Sequence, residues 1–108
     1  MEFLTNNPRF IEPNLSANLG YNAQFRALAA EMGTSAAALA IAWVLHKSQE
    51  TIAIPGTRSI GHLKELVAGG SITLTEDDIN CIEAVLPIGW AHGDRYSAAQ
   101  WEGPEKYC

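Results

Sequence analysis

The sequence predicts a mixed α/β fold, mostly helical with one or two short strands. Three observations carry that expectation. Four stretches place apolar residues at helical spacing or carry helix-capping residues. The run TIAI at 51–54 is β-branched and stops at Pro55-Gly56, as a buried strand does. A second run, 71–74, alternates Ile72 and Leu74 and suits a parallel partner reached through the intervening helix.

The elements follow in order. Residues 1–13 hold Pro8, Pro13 and the pair Asn6-Asn7, and are expected to be an irregular lead-in. Over 16–32, Phe25, Leu28, Ala29 and Met32 share one helical face, and Gly33 is the expected left-handed stop. Thr34 or Ser35 caps the next helix, which runs to about Lys47. That helix, AAALAIAWVLHK, is apolar almost all round and demands cover on several sides. After the strand, a helix over 60–68 is closed by Gly69-Gly70. The last helix spans 76–86, with Thr75 and Asp78 forming a capping box and Glu76, Asp77 and Asp78 suiting the positive end of the dipole. Ile79, Ile82 and Leu86 give it a buried stripe, and Pro87 ends it. The tail from Ile88 shows no period and is expected to be irregular. One strand cannot satisfy its own backbone groups. Either 51–54 pairs with 71–74 in a minimal βαβ unit, or its partners lie on sequence that this chain lacks.

Composition narrows the function. The 108 residues are 47% hydrophobic, which suits one domain with a modest core. A net charge of −5 argues against a nucleic-acid partner and offers no polybasic patch to a membrane. The longest apolar run is 36–45, well short of the roughly 20 residues that span a bilayer. The N-terminal MEFLTNNPRF has no signal-peptide pattern, and Cys81 and Cys108 have no metal-like spacing. The expectation is a soluble, cytoplasmic chain with reduced thiols. No metal, Walker or hydrolase nucleophile pattern is present.

The most informative stretch is IAIPGTRSIGHLKEL, 52–66. A strand end, a tight turn and a helix start make a natural anion site, because free N–H groups and the helix dipole favour negative charge. Pro55-Gly56 turns the chain, Thr57 and Ser59 offer hydroxyls, and Arg58 offers a planar fork suited to phosphate oxygens. A plainer reading stands beside it: Arg58 is a solvated loop residue and Ser59 only caps the helix.

NPRF, then LAxEMGTSAxxLAxAW, then IPGTRSIGHLKE, IxLTEDD and a late GDRY together resemble the C-terminal third of the aldo-keto reductases, over nearly all of residues 7–97. The resemblance implies the C-terminal part of a (β/α)8 TIM barrel. The whole chain, 1–108, is then a partial aldo-keto reductase domain: strand 8 at 51–54, its flanking helices and the C-terminal tail. It implies NADPH as cofactor and a small carbonyl substrate for the parent enzyme. By position, Gly56, Thr57, Arg58 and Ser59 resemble the loop that holds the 2′-phosphate. His62 falls where the family often has Arg or Gln, and Glu65 where an acid meets the adenine amino group. Leu66 falls where Asn is usual, and Leu cannot make that hydrogen bond.

The family's catalytic Asp, Tyr, Lys and His lie on earlier strands, and none of that region is in this sequence, so no catalytic residue is assigned. Tyr21, Tyr96 and Tyr107 are expected to pack or to line a rim. His46 is expected at the surface, His92 near a substrate entrance, Trp43 in the core, and Asp94 with Arg95 in a local ion pair. The chain alone is expected not to reduce carbonyls. The alternative is a non-enzymatic helical module whose barrel-facing apolar surface is covered by self-association or a partner chain.

Overall fold

A computed structural model describes residues 2–101. Tyr107 and Cys108, named above, lie outside the described residues. The elements are α1 (Glu2–Thr5), a 3-10 turn (Pro8–Phe10), α2 (Asn14–Glu31), α3 (Ala36–His46), α4 (Ile60–Gly69), α5 (Glu76–Val85) and a second 3-10 turn (Ala98–Trp101). The lead-in is therefore less irregular than its prolines imply. Asn7 accepts the Arg9 N–H at 3.1 Å and caps the first 3-10 turn, with Pro8 just inside it.

The chain divides into two compact units. One runs from Ala23 to Leu86. Its core is Phe25 and Ala29 from α2, Leu39 and Ala42 from α3, Leu74, and Ile82 from α5. Leu28, Met32, Trp43, Ile79 and Leu86 pack against that core, as the helical periodicity anticipates. Gly33 ends α2 at φ 74°. Its N–H reaches Ala30 O at 3.0 Å and that of Thr34 reaches Ala29 O at 3.0 Å, the paired bonds of a Schellman motif. Ser35 caps α3 by accepting the Ala38 N–H at 3.1 Å. On α5 the capping box is complete: Asp78 donates its N–H to Thr75 Oγ1 at 3.1 Å, and Thr75 donates its N–H to Asp78 Oδ2 at 2.9 Å. That backbone hydrogen bond from Thr75, with its hydroxyl second, holds the Asp78 carboxyl below its ordinary pKa.

Gly69 has a different role from the one its position suggests. Gly70, the residue after α4, has φ −68° and needs no left-handed conformation. Gly69 is the buried one, and a Cβ there would lie 2.6 Å from Ala38 O and 2.7 Å from Ile41 Cβ. The glycine lets α4 approach α3, the helix it packs against most closely.

Neither expected strand forms among the described residues. Residues 51–54 are extended but unpaired, and Ile52 and Ile54 are 84% and 91% exposed rather than buried. The second run begins inside the exit from α4. Ser71 N–H turns back to Ala68 O at 3.1 Å and Ile72 N–H to Gly69 O at 3.4 Å, while Leu74 enters the core. With one candidate strand folded into a helix exit, the other has no ladder to join.

The other unit joins the segment up to Asn22 with the segment from Pro87 onward. Side-chain amides hold it. Asn7, 5% exposed, donates to Arg95 O at 2.6 Å, and Asn14 donates to Pro8 O at 3.0 Å. Arg9 Nε donates to Gly93 O at 3.3 Å. Gly93 has φ 87°, so the tail crosses the NPRF turn at a spacing only glycine fits. The expected Asp94–Arg95 ion pair is not how these residues are used. The Asp94 carboxylate accepts the Arg95 backbone N–H at 2.7 Å and Trp101 Nε1–H at 3.2 Å, while the guanidinium lies over the Tyr96 ring. Among the described residues no single helix is long and apolar enough to cross a membrane.

Candidate functional site

Residues 55–59 form an exposed loop that runs directly into α4. Its conformation is held locally. Ser59 donates its N–H to Thr57 Oγ1 at 3.2 Å, an internal turn that shapes the loop. Ser59 then caps α4 with extended backbone, φ −114° and ψ 129°, its hydroxyl accepting the His62 N–H at 3.4 Å and its carbonyl the Leu63 N–H at 2.9 Å. Those two bonds satisfy His62 and Leu63, and leave the N–H groups of Ile60 and Gly61 for an outside acceptor.

The candidate residues fall together. Gly56, Thr57, Arg58 and Ser59 are consecutive and exposed. His62 stands in the first turn of α4, and Glu65 is three residues on, a neighbouring position of the same helix surface. Among the described residues Arg58 has no hydrogen-bond or ion-pair partner, so its fork is uncommitted. A Cβ at Gly56 would meet nothing within 4 Å, so the loop approaches no other part of the unit there. Leu66 points elsewhere. It lines an open apolar groove of about 430 Å³ with Ile41, Leu45, Ile52, Leu63 and Val67.

Elsewhere in this unit, Lys47 Nζ meets Glu83 Oε1 at 2.7 Å and lies 4.2 Å from the centre of the Trp43 ring. The Lys47 hydrogen bond holds the Glu83 carboxyl below its ordinary pKa. Trp43 is thus half-buried at the α3–α5 seam, and its Nε1–H turns to Glu83 at 3.4 Å. His46 is exposed at the end of α3, as expected. No group of three His, Cys, Asp or Glu side chains among the described residues could hold a metal ion.

The sequence patterns gave the side chains of Asn7, Arg9, Asn14 and Asn18 no role, although Asn7 and Arg9 lie in the NPRF motif. Asn14 and Asn18 are four residues apart on α2, a spacing that puts both amides on one face. The spacing was visible; the carbonyls they bind, Pro8 O for Asn14 and Arg9 O and His92 O for Asn18, were not.

The chain belongs to the aldo/keto reductase family. The family profile matches residues 2–87. Among curated relatives, the chain is similar to "Probable aldo-keto reductase 1" of Glycine max, 35% identical over 89 residues, which are 82% of this chain and 26% of that protein. It is also similar to "Aldo-keto reductase str7" of Strobilurus tenacellus, 31% identical over 88 residues, again 82% of this chain and 26% of that protein. The chain thus spans about a quarter of the length of these relatives. No solved structure matches it. Family membership makes these helices a mostly helical piece of a (β/α)8 barrel, and residues 51–54 are extended and unpaired in it.

Proposed function

We propose that the chain carries the adenosine 2′-phosphate side of an NADPH site, and that the parent protein is an NADPH-dependent aldo-keto reductase that interconverts small carbonyls and alcohols. The domain this assigns is residues 1–108, comprising strand 8, its flanking helices and the tail. One observation carries the reading: Arg58 stands uncommitted between two hydroxyl residues at the capped start of α4. Its fork takes phosphate oxygens in a bidentate manner, Thr57 and Ser59 supply hydroxyls, and the free N–H groups of Ile60 and Gly61 add to the positive end of the helix. His62 and Glu65 extend the contact toward the adenosine. Leu66 packs in an apolar groove and gives the base no hydrogen bond, so recognition rests on the phosphate end. When bound, the cofactor supplies the hydride. This chain's residues bind and orient one end of it, and the proton donor is assigned to other strands of the barrel.

Arg58→Ala is expected to weaken NADPH binding about ten- to a hundredfold, the worth of charge-assisted hydrogen bonds, and to leave NADH binding and folding unchanged. Amide NMR of the chain, titrated with each nucleotide, reads this directly. Shifts confined to 56–65 and induced by NADPH alone support the site. Equal shifts with NADH, or none in the dispersed wild-type spectrum, remove it.

A second reading has its own observation. Ile52, Ile54, Ile60, Leu63 and Val67 are all at least half exposed in one unit. A non-enzymatic helical module would cover them by self-association or with a partner chain. Sedimentation equilibrium then shows a dimer or larger species that Leu63→Glu with Val67→Glu dissociates. A monomer at all concentrations discards self-association.

A further inference from the structure

Residues 51–54, within the Ala23–Leu86 unit, present two unlike edges. Alternate residues of an extended run aim their N–H and C=O groups to opposite sides. Thr51, Ala53 and Pro55 share one edge, and it is blunted. The Thr51 N–H is spent on Ser48 O at 3.1 Å, and Pro55 has no N–H. Ile52 and Ile54 share the other edge. Neither has a backbone hydrogen bond among the described residues, so their N–H and C=O groups stand open in a row. Both residues are exposed, whereas Thr51 and Ala53 are partly buried. An open row of this kind pairs with another backbone. One open edge beside one blunted edge takes a single partner strand and then closes.

Charge and register name the occupant. Glu50 precedes the run and Arg58 lies beyond its far end, and both are exposed. Antiparallel pairing of two copies sets the Glu50 end of each beside the Arg58 end of the other. Parallel pairing would set like charges together. The antiparallel pair is also self-complementary about a two-fold axis. With Ala53 on that axis, Ile52 of each copy lies opposite Ile54 of the other. All the isoleucines then share one face, and each Ile52–Ile54 pair exchanges two backbone bonds. A slip of one residue turns the isoleucines of the two copies to opposite faces. A slip of two sets an isoleucine opposite Glu50 or Gly56. In the favoured register Thr51 faces Pro55 at a position that calls for no N–H from either, which is where the N–H already spent and the N–H missing both fall. We propose that 51–54 pairs antiparallel with the same segment of a second copy of this chain, with Ala53 on the axis, to make a closed dimer. The proposal rests on the self-association reading above and does not draw on the cofactor reading.

The test uses the 108-residue chain with Cys81→Ser and Cys108→Ser, which removes its own thiols. Ala53→Cys is added in one variant and Thr51→Cys in another. Facing residues at a non-hydrogen-bonded position have Cα atoms about 4.5 Å apart, within disulfide reach. The two copies of Thr51 are four residues out of line, roughly 13 Å apart. With oxidised glutathione, Ala53→Cys is expected to give a covalent dimer at least tenfold faster than Thr51→Cys. Sedimentation equilibrium of the thiol-free chain is expected to show monomer and dimer only. Ile54→Pro removes a donor of each copy from the open edge and should weaken the dimer about tenfold or more. Ile54 lies outside every helix and outside the core, so the circular dichroism of that variant should be unchanged. Equal cross-linking at 51 and 53 overturns the proposal, as does growth beyond a dimer. A dimer that Ile54→Pro leaves intact but Leu63→Glu with Val67→Glu dissociates removes the edge pairing and keeps the self-association reading. A monomer at all concentrations removes both.

Discussion

Gly69→Ala is expected to destabilise the Ala23–Leu86 unit by about 3 kcal/mol, the upper end of the usual overpacking range. The added methyl would sit 2.6 Å from a backbone oxygen, Ala38 O, and 2.7 Å and 2.9 Å from Ile41 Cβ and Cγ2. None of these is the free end of a flexible side chain, so the relief has to come from moving α4 off α3. Alanine's better helix propensity opposes the loss by about 1 kcal/mol in a helix interior and by less at the last residue of α4. The clash therefore wins. The companion variant Gly61→Ala lies on the same helix, and its Cβ meets only Ser59 Oγ at 3.6 Å. It should be neutral or mildly stabilising. Urea unfolding followed by circular dichroism compares the two. A Gly69→Ala midpoint equal to that of Gly61→Ala would mean that α3 and α4 are not packed as described.

Leu39→Ala is expected to cost about 3–4 kcal/mol, within the 2–5 kcal/mol seen for burying and then deleting a large aliphatic side chain. Leu39 is the largest fully buried side chain, at 0% exposure. The size of the effect depends on how far the neighbours can close the void. Here three of the buried residues are Ala29, Ala38 and Ala42, which have no flexible side chain to swing inward. The cavity should stay open. Against a typical domain stability of about 5–15 kcal/mol, that loss is large. Leu39→Met conserves volume and should cost less than about 1.5 kcal/mol. Thermal melts that place both variants within a degree or two of the unmodified chain would dispose of Leu39 as the centre of the core.

The helices were legible because their causes are local. The spacing of Phe25, Ala29 and Met32, the Schellman glycine at 33, Ser35 as cap and the Thr75–Asp78 box each act within one or two turns, and each stands as read. The strands were not legible, since a strand is defined by a partner. TIAI has the composition of a buried strand whether or not a neighbour is present, and Ile72 and Leu74 alternate even though the backbone before them is spent on closing α4. The helix closes at Gly69-Gly70 as read, but the packing demand on Gly69 was not legible, because it comes from Ala38 and Ile41, some thirty residues earlier. Of the candidate site, the order and exposure of residues 56–59 and the cap at Ser59 were readable. The amide grip on His92 was not, because Asn18 and its partner are 74 residues apart in the chain.

The bare segment 51–54 carries a consequence for how this chain behaves at high concentration. An extended run with Ile52 and Ile54 outward is the kind of template on which other chains add strand by strand into fibres. Pro55 sits at its end, without an N–H to continue a ladder, and Gly56 follows. Any cross-chain pairing is cut off after four residues, shorter than the six or seven of a stable steric zipper. The same proline that turns the backbone toward α4 also acts as a gatekeeper against runaway assembly.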